Sequence, residues 1–407
     1  MGERTVSRRR TPRWLLGTDG WLVVAVATLL LWGLLMVYSS GADFAWWHLG
    51  GDAFYLFRRQ LFFVLITSVW AVLLAAVDYR FWQRFAVPAL FLIWILLFLA
   101  LIFGHARAVG RFLSGRSLQP SEWAKVVLIF YLAVWLARRK GHLDNPWTGL
   151  YPLAALVGIT ASLVLLEPDL SAAITMVLLG MMMFFLAGGR LRHLAVAFVV
   201  MLVVGALFVM VYPRGHDRVV AYLAGLNDPQ HALAQIRLAF AAVARGGIFG
   251  VGPGQSQIKV RGLPLAPTDS IFAVVAEEFG VLGATVMVIL FGLIVWRGLK
   301  IAFAAPDEFG RLLAAGLAFW IGLEAFMNMA MMLNLLPLAG NALPFISYGG
   351  SNLLSVMSAV GLILSVGRAS ARERLLERSD TGAVVSLRRR NRRRRVSGAV
   401  GASGVRE

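Results

Sequence analysis

No cysteine occurs anywhere in the 407 residues. Disulfides, thiolate metal sites and cysteine nucleophiles are therefore excluded. Charge is also scarce, at 15% Asp, Glu, Lys and Arg, where a soluble domain carries about a quarter. The six histidines show no paired ligand spacing of the HExxH kind. Hydrophobic residues make up 59% of the chain. A water-soluble fold of this size could not hide so much apolar surface. The apolar runs are long and continuous rather than short and alternating, which argues against an outer-membrane barrel. What remains is an all-α polytopic membrane protein, whose helices satisfy their own backbone hydrogen bonds in lipid.

A window of about 20 apolar residues crosses a bilayer. About ten such windows are present, near 21–40, 60–77, 85–104, 122–137, 150–166, 171–187, 193–212, 271–296, 311–336 and 347–366. This gives a basic N-terminal tail (1–20), a membrane domain (21–367) and an Arg-rich C-terminal tail (368–407) expected to be disordered. One long extracytoplasmic loop, 213–270, separates the seventh span from the eighth. An even number of spans puts both termini on one side. Both tails are rich in arginine, so that side is expected to be the cytoplasm. The run Arg388–Arg395 reads as a tail lying on anionic lipid headgroups. No RNA-binding module accompanies it, so no nucleic-acid partner is expected.

Two outward segments carry unexpected positive charge: 105–121, with Arg111, and the long loop, with Lys259 among others. One reading is a site for an anionic lipid diphosphate; the other is ordinary surface charge. The glycine-rich stretch 246–254 looks like a phosphate loop but lacks the Gly-Lys-Ser/Thr ending. Its glycines are expected to permit tight turns and close approach to a headgroup. Glu122 and Lys125 stand three residues apart at the start of the fourth span and share a face. They are either a structural pair or part of a cavity. Glu167-Pro168-Asp169 lies between two spans and fits a cavity lining or a solvated turn. Pro267-Thr268-Asp269-Ser270 opens the eighth span. Its bland reading is an N-cap; its functional reading is a carboxylate available as a general base. Glu277, Glu278, Glu324, Asn328 and Asn334 are polar groups within membrane helices, which mark pathways or interhelical hydrogen bonds. Pro337, Gly340 and Pro344 prevent regular helix before Ser347-Tyr348-Gly349-Gly350, whose backbone must then pack in protein or line a wet cavity.

On these residues the chain resembles the SEDS family (shape, elongation, division and sporulation) of bacterial membrane proteins, of the FtsW/RodA type. The resemblance covers roughly 20–367. It rests on QPSEWAK (119–125), EPDLSAA (167–173), GGIFGVGPGQSQIK (246–259), PTDSIFAVVAEEFG (267–280) and LPFISYGGS (343–351). It implies a peptidoglycan glycosyltransferase that polymerises lipid II into β-1,4 glycan strands outside the bacterial cytoplasmic membrane. A class B penicillin-binding protein and other division or elongation proteins are the implied partners. The family's catalytic aspartate falls on Asp269. Its other functional positions fall on Arg59, Gln60, Glu122, Lys125, Asp169 and the Ser347, Tyr348 and Gly349 signature. Residues 51–55 lean toward the division branch, and hence the septum. Ser270, Asn341, Asn352 and Glu167 depart from the usual family residues, which leaves substrate fit in question.

The implied reaction is an inverting glycosyl transfer, with Asp269 taking the proton of the attacking sugar hydroxyl. Arg59, Arg111 and the basic residues of the loop are candidates to stabilise the departing diphosphate. A divalent cation, Mg or Mn, is compatible with that task, but no dense carboxylate cluster demands one. The competing reading is a flippase for lipid-linked precursors, which needs a polar path across the whole membrane. A non-enzymatic scaffold for division partners is the third.

Overall fold

The computed structural model describes residues 18–48, 51–105, 119–167, 169–211 and 213–399. Among them there is no strand. The helices are α1 (Gly20–His48), α2 (Tyr55–Ala76), the short α3 (Tyr79–Trp82), α4 (Ala86–His105), α5 (Pro120–Arg138), α6 (Leu150–Leu166) and α7 (Leu170–Leu186). They continue with α8 (Leu191–Val211), α9 (Pro213–Asn227), α10 (Ala234–Gly246), α11 (Ile271–Phe303), α12 (Glu308–Met332) and α13 (Gly350–Ala399). Eight stretches are long and apolar enough to cross a membrane. The apolar α6 and α7 have 17 residues each. The chain is a multi-pass membrane protein, and each apolar window of the sequence coincides with a helix.

Burial is uneven. Helices α5, α12 and α13 are buried along most of their spans, whereas α8 has no buried residue and lies at the rim. The core elements pack as α13 on α2, α11 on α12, and α5 between α12 and α7. The long loop holds α9 and α10, and α10 packs on α11.

Several boundaries differ from the sequence expectation. Helix α2 begins at Tyr55, so Arg59 and Gln60 lie on it. Helix α13 was expected to give way to an irregular tail at 368, but it continues to Ala399. Its first turns beyond the membrane are tied down. Ser365 Oγ donates to the Val77 carbonyl (2.6 Å), Arg368 Nη1 donates to the Ala75 carbonyl (2.7 Å) and Glu373 pairs with Arg80 (2.8 Å). Ala, Arg, Glu and Leu, which dominate 368–377, are also strong helix formers.

The end of the bundle away from the long loop is laced by ion pairs: Arg297–Asp19 (2.6 Å), Arg80–Asp307 (2.7 Å) and Lys140–Glu308 (3.2 Å). Asp307 also caps α12, accepting from the Gly310 amide (2.7 Å), and accepts from the Tyr79 hydroxyl (2.6 Å). Burial pushes its carboxyl up, but the Tyr79, Gly310 and Arg80 bonds outweigh that and hold it below the usual carboxylate range.

The glycine-rich stretch meets protein, not a headgroup. Helix α11 is broken at Gly280 (φ 64°, ψ −165°). A break strands backbone groups, and in a membrane bundle these must find partners. Residues 247–252 supply them. Val251 and Gly252 amides donate to the carbonyls of Glu277 and Glu278 (3.0 Å each). The amides of Val281 and Leu282 donate to the carbonyls of Gly247 and Ile248 (2.9 and 3.1 Å). A Cβ at Gly250 or Gly280 would overlap the facing backbone. The carboxylates beside the break complete the clamp. Glu277 accepts from Ser256 Oγ, from the amides of Gln257 and Ile258 (3.1 and 3.2 Å) and from Arg245 (3.2 Å).

Two outcomes follow for thermal unfolding of the full chain in detergent. Gly250→Ala combines backbone overlap with a positive φ of 82° and is expected to lose roughly 2 kcal/mol or more. Gly254→Ala has a similar φ of 81° but open space around it, and should lose clearly less. Asp307→Asn keeps an acceptor for the Gly310 amide but loses the charge that faces Arg80 and Tyr79, and is expected to lower stability by about 1 kcal/mol at neutral pH. Because the folded carboxyl titrates below its ordinary value, that contribution is present above about pH 4 and fades as pH falls further. The gap between wild type and D307N should therefore close on acidification; a gap that widens would contradict it.

Candidate active site

Asp269 sits on a segment held from outside. Residues 265–270 are not helical, and Leu265 has a positive φ of 54°, a strained conformation for a leucine. Three consecutive carbonyls are each bound by a different residue. The Tyr348 amide donates to Pro267 O (2.8 Å), Ser347 Oγ to Thr268 O (2.7 Å) and Asn328 Nδ2 to Asp269 O (2.9 Å). Ser270 is the N-cap of α11, but its side chain makes no cap bond. Its hydroxyl donates to Pro264 O (2.7 Å) and accepts from Gln235 Nε2 of α10 (2.6 Å). Asp269, half-buried, stands one residue before that cap, at the end of the bundle that carries the long loop.

The Ser-Tyr-Gly-Gly segment is fixed in turn. Gln60, buried on α2, donates through Nε2 to Ser347 O (3.3 Å) and accepts from the Gly349 amide at Oε1 (3.3 Å). The Ser347 hydroxyl accepts from the Leu343 amide (2.8 Å). Arg59, one residue before Gln60, lies over the Phe63 ring at 5.7 Å. It also reaches the hydroxyl of Tyr348. Burial pushes that hydroxyl above the usual tyrosine range, Arg59 pulls it back and Tyr55 adds to the rise, so Tyr348 stays neutral.

Glu122 and Lys125 form a pair, and it is buried. Lys125 Nζ donates to Glu122 Oε1 at 2.8 Å and also bonds Glu324 of α12. Lys125 is 1% exposed and Glu324 is fully buried. Asn352 of α13 donates to the other oxygen of Glu122 (2.9 Å). Glu324 Oε2 has no hydrogen-bond partner among the described residues. One ammonium thus joins α5 to α12, and an amide joins α5 to α13. Asp169, also buried, is neither a cavity wall nor a solvated turn. It caps α7 through the Ala172 amide (3.2 Å), accepts from Ser171 Oγ (2.9 Å) and receives Gln119 Nε2 from the start of α5 (3.2 Å).

The structure therefore gathers Asp269, Ser347, Tyr348, Gly349, Gln60 and Arg59 into one mouth, with Glu122, Lys125 and Asp169 as its buried frame. Lys259 departs from its expected place at the substrate. Its ammonium is inside the clamp, donating to Ser39 Oγ and Gly254 O (3.0 Å each) and facing Glu278 at 3.4 Å. Arg111 lies outside the described residues. Asn328, Asn341, Asn352, Gln235 and Glu324 complete the site and were not singled out as site residues from sequence. Their only signal was a polar side chain beside or within an apolar window. Among the described residues no group of three or more His, Asp or Glu side chains is placed to hold a metal ion.

Removing Lys125 alone would leave two carboxylates buried without a countercharge. Lys125→Met is expected to lower stability by about 3–5 kcal/mol. Adding Glu122→Gln and Glu324→Gln should recover a large part of it. Equal melting temperatures for the single and triple variants would show that charge is not what Lys125 contributes.

Comparison with known proteins agrees with this geometry. The FtsW/RodA/SpoVE model, described as cell cycle protein, matches residues 20–372. The chain is 37% identical over 359 residues to a probable peptidoglycan glycosyltransferase FtsW of Geobacter sp. (strain M18), covering 86% of this chain and 96% of that one. It is 34% identical over 358 residues to stage V sporulation protein E of Bacillus subtilis (strain 168), covering 86% and 96%. Among solved structures it is similar to a chain of a peptidoglycan synthase complex that coordinates polymerization and crosslinking (TM-score 0.71, 28% identity, 87% of this chain and 99% of that one). It is likewise similar to the rod shape determining protein RodA of Thermus thermophilus (TM-score 0.63, 27% identity, 88% and 98%). With residues 20–372 matched by the family model and relatives of 34–37% identity covered over 96% of their length, this chain belongs to the FtsW/RodA/SpoVE family.

Proposed function

We propose that the chain is a peptidoglycan glycosyltransferase that polymerises lipid II at the outer face of the cytoplasmic membrane. The mouth with Asp269 then faces outward, and both arginine-rich tails face the cytoplasm. The observation that carries this reading is a half-buried carboxylate on a segment whose three preceding and local carbonyls are each anchored. A base that must meet a sugar hydroxyl gains most when it is held in place beforehand. The printed descriptions of the relatives support the same activity.

In this reaction the 4-hydroxyl of N-acetylglucosamine on one lipid II attacks the anomeric carbon of the lipid-linked N-acetylmuramic acid. The new C–O bond forms as the bond to the diphosphate oxygen breaks. The hydroxyl proton passes to the Asp269 carboxylate, and the lipid diphosphate leaves with the electron pair. Attack opposite an α-phosphate gives a β-1,4 link. Arg59, beside Tyr348, is the cation we assign to the diphosphate. The likeness to a peptidoglycan synthase complex supports a class B penicillin-binding protein as partner, with division as the setting suggested by the FtsW relatives. A flippase reading is not favoured. Among the described residues the buried Asp, Glu and Lys side chains, Glu122, Lys125, Glu167, Asp169, Glu277, Glu278 and Glu324, all lie in the half of the bundle nearer the long loop.

Purified Asp269→Asn, given labelled lipid II, is expected to lose polymerisation by about 100-fold or more while keeping its melting temperature. Wild-type polymer yield from a folded D269N would remove Asp269 from its role. Arg59→Ala is expected to weaken turnover as well, and Arg59→Lys to restore only part of it, because lysine lacks the two-pronged guanidinium.

A further inference from the structure

The anchors of the Asp269 segment are not equivalent. Two of them, Ser347 Oγ and the Tyr348 amide, come from a segment that is itself irregular. The third, Asn328, comes from the interior of α12 and is 1% exposed. It alone binds the carbonyl of Asp269 itself, at 2.9 Å, and its second amide hydrogen goes to the Asn341 carbonyl at 2.6 Å. Asn341 returns to the same helix, donating to the Glu324 carbonyl at 3.1 Å. Glu324 lies one turn before Asn328, where Lys125 locks it to α5. The position of Asn328 along the bundle is thus set by a buried ion pair, and it passes that position to residue 269.

Strain at Leu265 makes such an anchor necessary. A leucine at positive φ persists only where its surroundings over-determine it. With one anchor gone, the segment can relax through Leu265, and the Asp269 carboxylate moves with it. Asn328 is also a side chain that only a two-hydrogen donor can replace. A buried carbonyl, that of Asn341, and a part-buried one, that of Asp269, each take a bond from it, and removing it deprives both of that donor.

We infer that Asn328 is a positioning residue for Asp269: it does not touch substrate, but it sets where the carboxylate stands when the sugar hydroxyl arrives. The inference rests on the reading of Asp269 as the general base. A misplaced base slows the chemical step without loosening substrate binding, because the diphosphate is assigned to Arg59 on α2 and not to Asp269.

The test uses the full chain with lipid II at varied concentration, comparing wild type, N328D, N328L, N328Q and D269N. N328D keeps the shape and loses both donors when ionised; N328L loses them permanently; N328Q keeps both hydrogens on a longer arm. In folded N328D and N328L, kcat is expected to fall between about ten- and a hundredfold, as a displacement of about 1 Å would produce, with KM changed less than twofold. N328Q should recover part of the kcat. If N328L does not fold, N328D decides. A wild-type kcat in N328D, or a loss carried by KM alone, overturns the inference while D269N remains inactive. A D269N that polymerises normally overturns the underlying reading of Asp269 instead, and the positioning role with it.

Discussion

A backbone group inside an apolar bundle must be hydrogen-bonded, and helices satisfy that rule without help. Every place where this chain leaves the helix therefore requires another segment to supply donors and acceptors. The break at Gly280 is closed by residues 247–252. The segment around Asp269 is closed by Asn328, Ser347 and Tyr348. The segment around Ser347 is closed by Gln60. The proposed site is built around these closures. Its residues are polar because they must satisfy irregular backbone, and irregular because a helix could not hold a carboxylate and a Ser-Tyr-Gly-Gly turn side by side.

Charge follows the same logic at higher stakes. A lone buried ion is too unfavourable to keep without compensation, and several interior charges occur in sets, while Asp169 is held by neutral donors. Lys125 joins Glu122 and Glu324, Arg245 joins Glu277, and Lys259 joins Glu278. The sets fasten different elements: α5 to the sequence-distant α12, and α10 and the end of the glycine-rich loop to α11. Arg59 carries its weight in the proposed chemistry because it stands beside Tyr348. The loop basic residues that sequence offered as a diphosphate cradle are in part structural.

Helical class, the apolar windows and the helix breaks at Pro337 and Pro344 were legible in the sequence, because hydropathy and proline act locally. The pairing of Glu122 with Lys125 was legible as well, since three residues on one helix share a face. The partners across the bundle were not. Nothing in the spacing of Glu324 or Asn352 from Glu122 announces contact over some two hundred residues. Lys259 was assigned to the substrate because an exposed-looking loop cation near glycines suggests phosphate; its burial against Glu278 depends on how the loop packs. The expected irregular tail after 367 failed because charge content says little about helicity once Arg80 and the end of α2 hold the helix start in place.

Composition alone determined that this chain lives in a membrane as a helical bundle, since no soluble fold could bury that much apolar surface. Its motifs determined which chemistry to look for. Only the tertiary structure decided which polar residues face the mouth, which merely hold the frame, and that an asparagine in α12 reaches the main chain of Asp269. The reason is physical: hydrophobicity is a property of each residue, whereas a hydrogen bond needs two groups brought within about 3 Å, and that meeting is made by packing.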